Sequence, residues 1–283
     1  MDIITALILG IVQGLAEYLP ISSSGHLEIF RQILGMKLDG AESLEFDTIL
    51  HAATVLSTIV VLWKELWPMI VSFFTIRKDS NFYYVCKILV SCIPILIVGL
   101  CFKDAIEAYL FGQGLKVVGW CLLLTAALLC FSYYFRTRPL EEARPGAKPY
   151  QPRDISYKDA FIIGLAQSVA ILPGLSRSGT TIATGILLGD KREQVAKFSF
   201  LMVIIPILGE ALLQMKDILG GEAAGEASIG WAPLLVGFIA AFVVGCIACK
   251  WMLAIVRKGK LVWFAVYCAI VGAICILKNY GVI

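Results

Sequence analysis

The chain has 283 residues, 59% of them hydrophobic and 16% charged, with a mean hydropathy of +0.84. Soluble domains average roughly 25% charged residues, so the composition excludes a soluble globular enzyme, a disordered chain and a disulfide scaffold. The net charge of +3, from 24 Lys and Arg against 21 Asp and Glu, is too mild to imply nucleic-acid binding.

The chain starts Met1-Asp2-Ile3, with no basic region before the apolar run, so no signal peptide is expected. Residues 3–16 are charge-free but shorter than the ~20 residues of a spanning helix. The pattern then breaks at Leu19-Pro20-Ile21-Ser22-Ser23-Ser24-Gly25, and a second short helix is expected over about 26–35. Pro, Gly and Ser together end one helix and cap the next. A short helix, a polar break and another short helix predict a re-entrant hairpin over 2–35 that enters the bilayer and returns to the same side. Two interfacial helices or one kinked span are the alternatives. Irregular backbone at membrane depth is tolerated only inside protein or against a watery cavity.

Spans are expected at 45–66, 82–102 and 114–135, then a linker over 136–155 rich in Arg, Pro and Lys. A second hairpin is expected over 156–189, broken at Pro173-Gly174-Leu175-Ser176, and further spans at 193–214, 229–250 and 261–278. The nine cysteines all lie in apolar stretches, where Cys packs as a small hydrophobe. Cys246 and Cys249 form a CxxC with no nearby His or second pair, so a metal or redox role is not expected there.

The two breaks are related. At an offset of 154, residues 6–35 overlay 160–189 without a gap, and ten of the thirty pairs are identical. The polar and glycine matches carry the information: Gln13 with Gln167, Ser22 with Ser176, Ser24 with Ser178 and Gly25 with Gly179. Each half, 1–135 and 156–283, then holds a hairpin followed by three spans. Three crossings invert the second half, and inverted repeats with broken helices build their site near the midplane. The expected fold is an all-α integral membrane protein, a polytopic helix bundle of six transmembrane helices and two re-entrant helical hairpins. Sixteen Lys and Arg fall on the side opposite the termini and six on the termini's side. Positive charge marks the cytoplasm, which places both termini and the mouth of the first hairpin outside.

If the hairpins meet, Glu17, Ser23, His26, Ser176, Arg177 and Thr181 converge in an apolar setting. Charges at membrane depth are costly and usually paired or functional, and Glu17 with Arg177 is the natural ion pair. A purely structural reading also exists: turn residues, a salt bridge and a capping histidine. Against it stand the fork of donors that Arg offers to phosphate and the free N–H groups of helices that begin near Ser24 and Ser178. Together they describe a phosphate-sized oxyanion site. His51 is expected as a hydrogen-bonded interior residue rather than a catalytic one. Glu28 is expected to be solvated or at an interface rather than catalytic, and Glu210 to sit near the outer end of its span.

These motifs resemble the undecaprenyl-diphosphate phosphatase family, the bacitracin-resistance membrane phosphatases. Gln13 to Glu17 is similar to that family's (E/Q)xxxE motif, Ser22 to His26 to its SS(S/T)GH stretch, and Pro173 to Thr181 to its PGxSRSxxT motif. The resemblance covers essentially the whole chain. With Gln at the family's first acidic position, Glu17 carries the acidic work alone. The resemblance implies hydrolysis of a polyprenyl diphosphate to monophosphate and inorganic phosphate, which regenerates the lipid carrier of envelope polymers. It implies a divalent cation, Mg²⁺ or Ca²⁺, with Glu17 either its ligand or the base toward Ser23, and a site open to the outer face of the bacterial inner membrane. Arg177 would clamp the diphosphate, and Gln13, Ser22, Ser24, Ser176, Ser178 and Thr181 would hold it. Ser23 is the candidate nucleophile with Glu17 as base and His26 as proton shuttle; His26 as nucleophile and direct attack by water stay open. A transporter or flippase for a lipid phosphate or other anion is the alternative function, a structural scaffold the third. A homodimer is a compatible assembly.

Overall fold

The computed structural model describes residues 1–36, 40–102, 114–137, 152–209 and 229–282. Among them the chain is helical, without a β-strand; one isolated bridge joins Arg153 to Asp190. Helices α1 (Ile3–Ala16) and α2 (Ser23–Ile33) form the first hairpin. They are followed by α3 (Gly40–Val61), α4 (Trp63–Phe74), α5 (Ser80–Cys101) and α6 (Gly114–Ser132), which a π-helical turn, Tyr133–Thr137, extends. The second hairpin is α7 (Tyr157–Val169) and α8 (Arg177–Leu188), and α9 (Arg192–Met202), α10 (Trp231–Arg257) and α11 (Val262–Asn279) complete the chain.

Four helical stretches are long and apolar enough to cross a membrane: Ser80–Cys101, Gly114–Arg136, Trp231–Arg257 and Val262–Asn279. Their outer faces are apolar. On α10, Ile239, Val243, Ile247 and Trp251 are exposed at four-residue intervals, while Ala241, Ala248, Cys249 and Met252 on the other side are buried. That is the stripe of a helix with lipid on one face and protein on the other. Small residues let these helices approach closely, as is usual where apolar packing alone joins them. A methyl group added at Gly119 of α6 would lie 2.8 Å from the Gly272 carbonyl of α11, and one added at Gly272 would lie 2.8 Å from the Gly119 carbonyl.

Two expected spans are interrupted. The helix expected over 45–66 ends at Val61, and the chain turns by 86° at Leu62 into α4. The stretch expected over 193–214 ends as α9 at Met202, bends at Val203 and resumes over 204–209; residues 210–214, with Glu210, lie outside the described residues, as do 138–151 of the expected linker. The cause of the second break is Pro206. It has no N–H to donate to the carbonyl four residues before it, and that carbonyl, of Met202, accepts from Cys92 Sγ instead (3.6 Å).

Helix α1 packs on α10, α7 on α5, α6 on α11 and α3 on α10. Each hairpin's first helix is thus seated against a long helix from the other half of the chain.

Candidate active site

The two hairpins meet at their tips. Ser22 is the N-cap of α2, its side chain accepting from Gly25 N–H, and Ser176 is the N-cap of α8, accepting from Gly179 N–H. Both capping hydroxyls satisfy N–H groups that a helix start leaves without partners. The tips then interlock twice, with roles exchanged. Ser24 Oγ accepts from Gly174 N–H (3.5 Å), and Ser178 Oγ donates to the Leu19 carbonyl (3.2 Å). A methyl group at Gly25 would lie 3.1 Å from Gly174 Cα, and one at Gly179 would lie 3.1 Å from Pro20 Cβ, so a larger side chain at either position would press on the opposite tip.

Glu17 is the C-cap of α1, at the point where the first helix gives way to the turn. Arg177 is the first residue of α8. Arg177 Nη2 donates to Glu17 Oε1 at 2.5 Å, while Ser23 Oγ (2.8 Å) and Gln13 Nε2 (3.0 Å) both donate to Glu17 Oε2. One turn of helix separates Gln13 from Glu17, which is why they share a face. The Glu17 side chain is 8% exposed and that of Arg177 28%, so the acid is sealed and the guanidinium keeps an open edge. Ser22, whose carbonyl and hydroxyl both serve the turn, sits at φ 72°, a left-handed conformation that costs a non-glycine residue energy and clusters at functional sites. Ser23, Ser24, Arg177 and Ser178 lie in the first turns of their helices, where backbone N–H groups have no intrahelical acceptor and favour an anion.

The other expected site residues are placed around this constellation. Ser22 and Ser176 are buried caps. Thr181 donates back to the Arg177 carbonyl (2.9 Å) and meets Ser199 Oγ of α9 at 2.5 Å. The Ser176 N–H donates to Thr125 Oγ1 of α6 (3.1 Å). These side chains hold the Arg177 backbone in place. His26 is buried and committed: Nδ1 lies 2.8 Å from the Ser22 carbonyl, to which it donates, leaving Nε2 to accept from Tyr267 O–H of α11, also at 2.8 Å. Glu28 accepts from its helix neighbour Gln32.

The structure adds groups that the sequence did not point to. His51 of α3, expected in the interior, brings Nε2 to 3.8 Å from Glu17 Oε2. Tyr18 donates its O–H to the Thr54 carbonyl (2.6 Å) and its oxygen also meets Thr58 Oγ1 (2.7 Å) and Ser57 Oγ, which pins the turn after Glu17 against α3. Beside the ion pair lies a cavity of about 20 Å³ lined by Glu17, Arg177, Thr54, Thr58 and Ser199 on its polar side, enough for a single water. The signal for this wall was present as His51, Thr54, Ser57 and Thr58, a polar run within an otherwise apolar span.

The donors present fit a hard divalent cation together with phosphate. Gln13 Oε1 is buried and accepts no hydrogen bond among the described residues, Glu17 supplies a carboxylate, and Mg²⁺ is commonly held by one or two carboxylates plus the substrate's own phosphates. Among the described residues no group of three or more His, Cys, Asp or Glu forms a cage on its own.

A carboxylate, a hydroxyl resting on it and a guanidinium facing it, all set between two helix starts, can bind a phosphate and activate an oxygen nucleophile. Known sequences agree with that chemistry. The chain is 57% identical to an undecaprenyl-diphosphatase of Bacteroides fragilis, across 99% of both chains. It is 57% identical to one of Parabacteroides distasonis across 96% of both, and 44% identical to one of Christiangramia forsetii across 99% of this chain and all of the other. The family model described as bacitracin resistance protein BacA matches residues 6–274, and the chain belongs to that family.

Proposed function

We propose that this chain hydrolyses undecaprenyl diphosphate to undecaprenyl phosphate and inorganic phosphate at the outer face of the bacterial cytoplasmic membrane. There it recycles the lipid carrier for peptidoglycan synthesis and confers resistance to bacitracin. The observation that carries the reading is the joining of Arg177, Glu17 and Ser23 across the two hairpin tips. It supplies the parts that phosphoryl transfer requires, which are positioning and charge neutralisation.

Arg177 turns its open edge to the diphosphate, and the N–H groups at the starts of α2 and α8 take further oxygens. Ser23 passes its proton to Glu17 Oε2, and Ser23 Oγ forms a bond to the terminal phosphorus as the bridging P–O bond breaks. Undecaprenyl phosphate departs as a stable monoester anion. Glu17 then releases the proton to water in the adjoining cavity. Water then attacks the phosphoserine, Glu17 takes its proton and returns one to Ser23 Oγ, and inorganic phosphate leaves. Glu17 and Gln13 would hold a Mg²⁺ or Ca²⁺ ion, which when bound offsets the charge of the diphosphate. The prenyl tail needs no polar partner and lies in lipid or against the apolar outer faces. His26, held by Ser22 and Tyr267, fixes the first turn of α2 and so the direction of Ser23.

The swapped packing of α1 on α10 and α7 on α5, with the twice-made tip contact, supports an inverted repeat of 1–135 and 156–283 around this site. The test is phosphate release from undecaprenyl diphosphate by the protein in detergent, with and without chelator. Detergent abolishes sidedness, so a pure transporter releases nothing. Release that is lost in Glu17→Ala and Arg177→Ala supports the reading; release unchanged in both overturns it. Phosphate trapped on His26, or on no residue, overturns the role of Ser23.

A further inference from the structure

The two histidines of this chain are held in opposite ways. His26 has both ring nitrogens in hydrogen bonds of 2.8 Å and is buried, as a structural histidine is. His51 lies on α3, its ring makes no hydrogen bond among the described residues, and its side chain is 26% exposed. Its Nε2 points at Glu17 Oε2 from 3.8 Å. That is beyond hydrogen-bond reach, and Oε2 already accepts from Ser23 and Gln13. A polar ring left unpartnered in such a setting costs free energy, and nothing in the helix requires it, since α3 neighbours Thr54, Ser57 and Thr58 all bond to backbone carbonyls or to Tyr18.

We propose that His51 is a substrate-contacting residue whose Nε2–H donates to a non-bridging oxygen of the phosphoryl group that Ser23 attacks. The inference rests on the proposed phosphatase reading of the site and deepens it. Ser23 Oγ and His51 Nε2 both flank Glu17 Oε2, so a phosphorus within reach of Ser23 brings one of its equatorial oxygens to the His51 side. Arg177 approaches the opposite carboxylate oxygen, Oε1. The transferring group is thereby held between a guanidinium from the second hairpin and an imidazole from α3, with the nucleophile between them. Donors aimed at oxygens that gain charge in the transition state act more on turnover than on binding.

The experiment compares His51→Ala and His51→Gln with Glu17→Ala and the parent chain. Each is purified in the same detergent and assayed for phosphate release from undecaprenyl diphosphate at fixed Mg²⁺, with thermal unfolding followed in parallel. The amide nitrogen of Gln can donate from near the position of Nε2 but cannot titrate. His51→Ala is expected to lower kcat by about 10²-fold, the usual loss for one such donor, with KM changed far less and the unfolding temperature unchanged. His51→Gln is expected to recover most of that loss. Parent-like kcat in His51→Ala overturns the proposal, as does a His51→Gln as slow as His51→Ala. Should His51→Ala unfold early, Gln still decides: a well-folded His51→Gln without activity overturns the donor role. If Glu17→Ala retains full release, the reading of the whole site fails, a result distinct from the failure of His51 alone.

Discussion

The two hairpins are built on one plan and carry different chemistry. At the offset of 154, the positions that agree are the ones that hold the turns: Ser22 and Ser176 as caps, Ser24 and Ser178 as tip contacts, Gly25 and Gly179 where the tips touch. The positions that disagree are the reactive ones. Glu17 is matched by Ile171, Ser23 by Arg177 and His26 by Thr180. The difference shows in unmet hydrogen bonds. Gln13 donates to Glu17, whereas among the described residues neither the amide oxygen nor the amide nitrogen of Gln167, 1% exposed, has a partner, and neither has Thr180 Oγ1. What the halves share is scaffold; what they do not share assembles one site from two complementary parts.

The largest expected effects come from the unshared positions. Ser23→Ala should slow phosphate release by about 10³-fold or more, as loss of a nucleophile does. Arg177→Lys should restore little of the activity lost in Arg177→Ala, because an ammonium cannot reproduce the planar fork. A Ser23→Ala protein with parent-like turnover would show that Ser23 is not the nucleophile and leave His26 or water in that role.

Shared positions should behave alike. Gly25→Ala and Gly179→Ala each place a methyl group against the opposite tip, and overpacking of this kind costs about 1–3 kcal/mol. Thermal unfolding should fall by similar amounts in the two variants. Markedly unequal losses would mean that the tips are not equivalent in energy, whatever their geometry.

Much of this was legible in the sequence, for a definite reason. Span length, turn residues and the repeat are local or periodic, so the breaks at Pro20 and Pro173 and the meeting of Glu17 with Arg177 could be read from the chain. The end of α9 was legible too, in Pro206, had its missing donor been weighed against the apolar run. His51 was not: it reaches Glu17 only through the packing of α3 against the hairpin, which no spacing along the chain encodes. The cap serines were ambiguous for another reason. Residues that cap helices and residues that bind phosphate are the same types, because both accept from or compete for the same first-turn N–H groups. Only the geometry separates Ser22 and Ser176, which hold the turns, from Ser23, which rests on Glu17.

A smaller contrast separates the paired glutamines. Gln13→Met removes a donor to Glu17 and an oxygen with no partner among the described residues, and should lower turnover by at least about tenfold, since one hydrogen bond to a charged group contributes about 1.5–3 kcal/mol. Gln167→Met removes only atoms without a partner among the described residues, and replacing these with an apolar side chain of similar shape is neutral or stabilising. Loss of activity in Gln167→Met would reveal a partner of Gln167 that the packing of α7 does not show.

The exits of the hairpins give the most delicate test. Where the first leaves through Gly35 and Met36, the second leaves through Gly189 and Asp190. Asp190 is 3% exposed and neither carboxylate oxygen has a hydrogen-bond partner among the described residues. Burial, with Asp159 nearby, pushes its carboxyl up to about 6, against the opposing pull of Arg153, whose Nε lies 3.8 Å away. The folded state therefore binds a proton that the unfolded chain has already lost between about pH 4 and 6, and stability falls as pH rises through that window. Asp190→Asn should remove this dependence, raising the unfolding temperature by a few degrees at pH 7.5 and leaving it nearly unchanged at pH 4.5. An equal shift at both values would mean that the side chain acts through packing alone, as Met36 does at the other exit.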